Sequence, residues 1–193
     1  MSSIKLVLAS ASPQRKVLLE GLGVQFEVCP SEKDEALCTE TDPVERAKAL
    51  ARLKADDVAI KYTDAWILGS DTLVVSNEGE LLEKPSNPDD ARRMLKLHSG
   101  SSLTVHSTLC LRSPEGKYFE GLSSSNVHFK DLSEEDIEWW INTEQWKDRS
   151  GAFQIDGLGQ MLIEKLEGDW SSVVGLPVFL LGELCKEAGL DLF

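Results

Sequence analysis

The opening of the chain constrains its fold more than any other stretch. Ile4-Lys5-Leu6-Val7-Leu8-Ala9 is a mostly apolar run of strand length, and Ser10-Ala11-Ser12-Pro13-Gln14-Arg15-Lys16 comes directly after it. Ser12 stands where a helix N-cap belongs, Pro13 suits the first helical position, and Val17, Leu18 and Leu22 recur at helical spacing before a capping Gly23. The pattern reads as buried strand, tight loop and helix.

The alternation of strand and helix continues along the chain. Gln25 to Cys29 reads as extended and Pro30 to Thr41 as a polar loop. Asp42-Pro43-Val44-Glu45 then opens a helix to about Lys61, with the Glu placed to reach back to the cap and Ala47, Leu50, Ala51 and Val58 on one buried face. Ala65 to Gly69 reads as a short strand with Asp71 just beyond it, and Leu73–Ser76 and Leu81–Glu83 as a hairpin around Asn77-Glu78-Gly79. Asn87-Pro88-Asp89-Asp90 starts a helix that buries Ala91, Met94 and Leu95. Leu103 to Leu111 and Tyr118 to Phe129 form a long hairpin, and Ser133-Glu134-Glu135-Asp136 caps a helix carrying Trp139 and Trp140. Gly151, Gly157, Gly159, Gly168 and Gly175 punctuate the last third before an amphipathic helix from Val178 to Ala188. Strands and helices alternate without a repeat or a linker, so the expected fold is one mixed α/β domain spanning residues 1–193.

Bulk properties narrow the function. A net charge of -13 disfavours nucleic acid and anionic membranes, which need clustered Lys and Arg, while a small phosphorylated ligand stays open because a few local groups set the field of a site. No apolar run approaches the ~18 residues of a membrane span. Cys29, Cys38, Cys110 and Cys185 are scattered with no paired spacing, which suits reduced thiols and a cytoplasmic location.

Several residues could carry chemistry. Ser10, Ser12 and Arg15 surround a helix N-terminus, whose free N–H groups and positive dipole end attract phosphate; the same pattern fits a capped surface helix with incidental basic residues. Asp71, in Gly69-Ser70-Asp71-Thr72, could take a proton from water or hold a cation, or it could be a turn former. Lys54 and Lys84, the latter in Glu83-Lys84-Pro85, could cradle a triphosphate or be solvated, and Glu35 could complete a metal site with Asp71. His98, His106 and His128 read as structural, and Trp139, Trp140 and Trp146 as packing.

Leu8-Ala9-Ser10-Ala11-Ser12-Pro13-Gln14-Arg15, Gly69-Ser70-Asp71-Thr72, Glu83-Lys84-Pro85, Ser99-Gly100, Gly151-Ala152-Phe153 and Val173-Val174-Gly175-Leu176-Pro177 together resemble the Maf family of nucleotide pyrophosphatases over essentially the whole chain. The resemblance implies an elongated mixed β-sheet flanked by helices, with two lobes and a central cleft, similar to the inosine triphosphate pyrophosphatase fold. It also implies hydrolysis of a nucleoside triphosphate to the monophosphate and pyrophosphate with a divalent metal cation, Mg²⁺ or Mn²⁺. Asp71 would be the catalytic base, Glu35 and Asp71 the metal ligands, and Ser10, Ser12, Arg15, Lys54 and Lys84 the phosphate contacts. The oligomeric state stays open, a homodimer included.

Thr72 and Ile155 fit the family branch acting on dTTP and UTP. Gln14 replaces an arginine usual in that branch, and Asp156 replaces a glutamine, leaning toward the 7-methyl-GTP branch because a carboxylate accepts from base-edge N–H donors. Gln14, Thr72 and Asp156 are thus the specificity positions. The dTTP/UTP reading leads; a 7-methyl-GTP pyrophosphatase and a catalytically weak nucleotide-binding regulator of cell division stand beside it.

Overall fold

The computed structural model describes residues 5–192, so Ile4, the expected start of the first strand, lies outside the described residues. Along the chain come β1 (Leu6–Leu8), α1 (Pro13–Gly21), β2 (Glu27–Val28), α2 (Pro43–Ala59), β3 (Trp66–Val75), β4 (Leu81–Leu82), α3 (Pro88–His98), β5 (Ser102–Arg112), β6 (Tyr118–Phe129), α4 (Glu134–Asn142), β7 (Ile163–Glu167), α5 (Trp170–Val174) and α6 (Val178–Ala188). The strands make a seven-stranded sheet in the order β2-β1-β3-β5-β6-β7, with β4 beside β3. It is mixed: β1 is parallel to β2 and β3, whereas the β3–β4 and β6–β7 pairs are antiparallel. The expected α/β class with a mixed sheet and flanking helices is what forms.

Two compact units share the chain. The first takes the sequence up to Thr72, Ser107–Ser123 and everything from Gly175 onward; the second takes Leu73–His106 and Ser124–Val174.

In the first unit, side-chain alternation along the strands decides which helix each residue meets. Leu6 and Leu8 of β1, Leu68 of β3 and Leu109 and Leu111 of β5 pack with Leu19 of α1 and Leu181, Leu184 and Cys185 of α6. Their neighbours one position along, Val7, Ala9, Ile67 and Cys110, point to the opposite face and pack with Ala51, Ala55, Val58 and Ala59 of α2. With both faces covered, β1 is buried at every residue. In the second unit, α3 (Ala91, Met94, Leu95) and α4 (Ile137, Trp140, Ile141) close over Val74, Leu82, Leu103, Val105, Val127 and Phe129.

Helix starts obey the capping residues. The side chains of Asp42 and Asn87 accept from the amides of Glu45 (3.0 Å) and Asp90 (2.9 Å), and Ser133 and Asp136 form a reciprocal capping box. Glu45 does not reach back as expected, because Lys48 Nζ donates to its carboxylate at 2.7 Å. Ser12 holds the N-cap position of α1, yet its hydroxyl makes no cap bond and donates to Gln14 Oε1 at 3.3 Å instead. The expected stripe of α1 is also displaced: Val17 is 63% exposed, and Arg15 and Leu19 are the buried pair one turn apart. α2 ends at Ala59, two residues before Lys61.

The largest departure concerns β3. The expected short strand, loop and second strand are one continuous ten-residue strand, so Asp71 lies inside β3 rather than beyond its end. Gly69-Ser70-Asp71-Thr72 resembles turn chemistry locally, but burial on both faces and partners distant in sequence hold it extended.

Candidate active site

β1 and β3 run side by side only as far as Leu8, paired with Leu68, and the amide of Ala9, which donates to Leu68 O at 2.9 Å. Beyond that point β1 turns away through Ser10 to Ser12, while β3 continues through Gly69 to Thr72. The carboxyl end of a parallel strand is where α/β sheets leave room for ligands. Alternation then sorts the polar residues of β3: Gly69 and Asp71 share the α2 face with Ile67, and Ser70 and Thr72 share the α1 face with Leu68.

On the α2 face, a Cβ at Gly69 would overlap the Ala51 carbonyl oxygen, so glycine lets α2 lie directly against β3. That close approach brings Lys54 to Asp71. Lys54 Nζ donates to Asp71 Oδ1 at 2.6 Å and lies 2.8 Å from Glu35 Oε1. Glu35 comes from a 3-10 turn, Glu35–Leu37, inside the expected polar loop; Asp34 caps this turn by accepting from the Ala36 amide at 2.9 Å. The second oxygen of Asp71, Oδ2, is buried with no hydrogen-bond donor among the described residues. Leaving a carboxylate oxygen buried and undonated is costly, so this atom can take a proton or a cation that the described residues do not supply.

On the α1 face, Arg15 is the centre. Its Nε donates to Gly175 O at 2.8 Å, its Nη1 to Ser10 Oγ at 2.9 Å and its Nη2 to Thr72 Oγ1 at 3.1 Å. Ser70 Oγ donates to the same Gly175 carbonyl at 3.1 Å, Thr72 and Ser107 hydroxyls pair at 2.8 Å, and the Ser12 amide donates to Ser10 Oγ at 3.2 Å. Burial pushes the Arg15 guanidinium below its ordinary value, and the Asp71 and Glu35 carboxylates pull it back up. Three of the five guanidinium N–H groups serve these protein acceptors, which leaves one on each terminal nitrogen for a ligand.

Ser10, Arg15 and Thr72 therefore meet in one network, and Lys54, Glu35 and Asp71 in another, all within the first unit. Ser12 and Gln14, half-buried, pair with each other. Lys84 and Asp156 belong to the second unit. Lys84 is exposed just after β4. Asp156 is half-buried at the N-cap position of the 3-10 turn Gly157–Met161, with no side-chain cap bond.

Sequence reasoning misses Ser70, Ser107 and the Gly175 carbonyl, which together hold Arg15 and Thr72. Strand alternation is the signal that could find Ser70, which has to face away from Asp71; Ser107 carries no comparable signal.

A divalent cation fits this chemistry within limits. The described residues contain no group of three or more His, Cys, Asp or Glu able to hold a metal alone. Glu35 and Asp71, drawn together by Lys54, supply two carboxylates and one undonated oxygen. Such a pair suits Mg²⁺ or Mn²⁺, which complete their shells with water and substrate phosphate.

A family model described as "Maf-like protein" matches residues 5–188. Among curated proteins, the chain is 39% identical over 182 residues to a "dTTP/UTP pyrophosphatase" of Pyrococcus furiosus, covering 94% of each. It is 42% identical over 192 residues to a protein of the same description from Moorella thermoacetica, covering 98% of this chain and 97% of that one. Among solved structures, a HAM1 protein from Coxiella burnetii is similar at a TM-score of 0.49 and 13% identity, over 96% of this chain and 98% of that one.

Proposed function

Because this chain belongs to the Maf-like protein family, we propose that it hydrolyses dTTP and UTP to the monophosphate and pyrophosphate, with Asp71 as the base. It is a nucleotide pyrophosphatase, and relatives described as dTTP/UTP pyrophosphatases at 38–42% identity over most of the chain support the choice of nucleotide substrate. The observation that carries the chemistry is Asp71 itself, with one oxygen fixed by Lys54 and the other buried and undonated.

In this reading Lys54 orients the carboxylate so that Oδ2 accepts a proton from the water attacking the α-phosphorus. Lys54 keeps a third N–H, beyond those directed at Asp71 and Glu35, for a phosphate oxygen. Arg15 offers its two remaining N–H groups, and Ser10, Ser12 and Lys84 complete the phosphate contacts. A divalent cation, Mg²⁺ or Mn²⁺ held by Glu35 and Asp71, supplies neutralisation of the polyphosphate charge. Gln14, Thr72 and Asp156 set selectivity. For Thr72 this acts through placement of Arg15, since the Thr72 hydroxyl is bound by both Arg15 and Ser107.

The substrate is a small nucleotide, with neither nucleic acid nor membrane as partner, and we place the enzyme in the cytoplasm as one domain over residues 1–193. No helix among the described residues is long and apolar enough to cross a membrane. The test is pyrophosphate release from a panel of triphosphates with Mg²⁺ or Mn²⁺. Turnover of dTTP and UTP, lost in EDTA and restored by either cation, is expected. Turnover of 7-methyl-GTP alone would overturn the base assignment, and silence across the panel would overturn the enzyme.

A further inference from the structure

Three blocks singled out in the sequence, Glu83-Lys84-Pro85, Ser99-Gly100 and Gly151-Ala152-Phe153, converge in the second unit. Gly151 and the next residue, Ala152, both adopt left-handed backbone, with φ of 71° and 60°. A non-glycine residue seldom takes that conformation, and it persists only where its surroundings impose it. Here they do. His98 Nε2 lies 2.7 Å from Gly151 O, and because a carbonyl can only accept, that nitrogen carries the proton. Trp140 Nε1 donates to Ala152 O at 2.8 Å. Both rings are almost wholly buried, so two successive carbonyls are gripped by ring donors that no water can replace.

On the other side of Gly151, its amide donates to Glu83 O at 3.1 Å, so the same turn binds the Glu83 carbonyl. A Cβ on Gly151 would come within 2.9 Å of Val74 Cγ1, so glycine is also what seats the turn against β3. His98 is itself fixed: it stacks on Phe129 with ring centroids 4.9 Å apart, and Ser99 and Gly100 stop α3 directly after it. The residue after the gripped Glu83 carbonyl is Lys84.

We propose that the Gly151–Ala152 turn, clamped by His98 and Trp140, is a positioning element that fixes the Glu83–Lys84 backbone so that Lys84 is preorganised to meet a substrate phosphate. His98 and Trp140 are then positioning residues rather than catalytic ones. A lysine side chain is flexible, and its affinity for a phosphate depends on how well its root is held. Burial drives the His98 imidazole toward the neutral form, in keeping with a fixed single donor. The inference rests on the proposed phosphate-binding role of Lys84.

The experiment is a double-mutant cycle read as KM for the best triphosphate of the panel. Lys84→Ala is expected to raise KM about tenfold, as loss of one charge-assisted hydrogen bond does. His98→Leu is expected to raise KM severalfold in the native background, to add little once Lys84 is alanine, and to leave kcat nearly unchanged. His98→Gln, whose amide can stand in for Nε2–H, restores KM. Should His98→Leu fail to fold, Trp140→Phe, which keeps an aromatic side chain but removes the N–H and part of the indole volume, supplies the same comparison. Equal KM effects of the clamp variant with and without Lys84 overturn the positioning role while leaving the phosphate role of Lys84 intact. An unchanged KM in Lys84→Ala overturns both.

Discussion

At the scale of single residues, Asp71 presents two unlike oxygens. Oδ1 receives the Lys54 ammonium, and Oδ2 receives no hydrogen bond from the described residues. Asp71→Asn keeps an acceptor for Lys54 and nearly the same volume, so the fold should survive, while the group able to take a proton is lost. Turnover is expected to fall at least about a hundredfold with an unchanged circular dichroism spectrum; near-native turnover in that variant would falsify Asp71 as base. The residue types draw attention to Lys54, Asp71 and Glu35, and the structure adds that Lys54 pairs with both carboxylates. Less visible is the degree to which Arg15 is committed to the protein. A guanidinium beside a helix N-terminus reads as a phosphate clamp, yet three of its contacts go to Ser10, Thr72 and Gly175. Local sequence cannot reveal partners 57 and 160 positions away.

At the scale of elements, capping chemistry is the most legible signal. Asp42, Asn87 and Ser133 each start the helix they announce, because a cap is a contact over three residues and needs no tertiary context. β3 misleads for the opposite reason. Its Gly-Ser-Asp-Thr stretch has low strand preference, and only long-range bonds such as Ser70 to Gly175 stabilise the extended form. The contact between β3 and α2 gives a direct test. Gly69→Ala would drive a methyl group into the Ala51 carbonyl and force α2 away from the strand. Overpacking of this kind costs about 1–3 kcal/mol, and it should also separate Lys54 from Asp71. The urea midpoint and the turnover number are expected to fall together.

At the scale of the whole molecule, acid stability is written into the second unit's interior. Burial lowers the His98 pKa from 6.5 to about 4, so the unfolded chain takes up the proton before the folded one does. The contribution is complete above the unfolded value of 6.5 and is lost as pH falls toward about 4. The full span amounts to about 3 kcal/mol. Urea titrations between those limits should show stability declining with pH in the native protein and a much flatter profile in His98→Gln. The first unit carries a different molecule-wide consequence. The Arg15 to Gly175 hydrogen bond joins residues 160 positions apart, and Ser70 shares the same carbonyl. During synthesis, Arg15 and the loop it braces leave the ribosome long before Gly175 exists. Until Gly175 is made, the Arg15 Nε–H and the Ser70 hydroxyl lack the one carbonyl that both use in the folded chain, so this part of the network closes only when the last stretch of sequence is present.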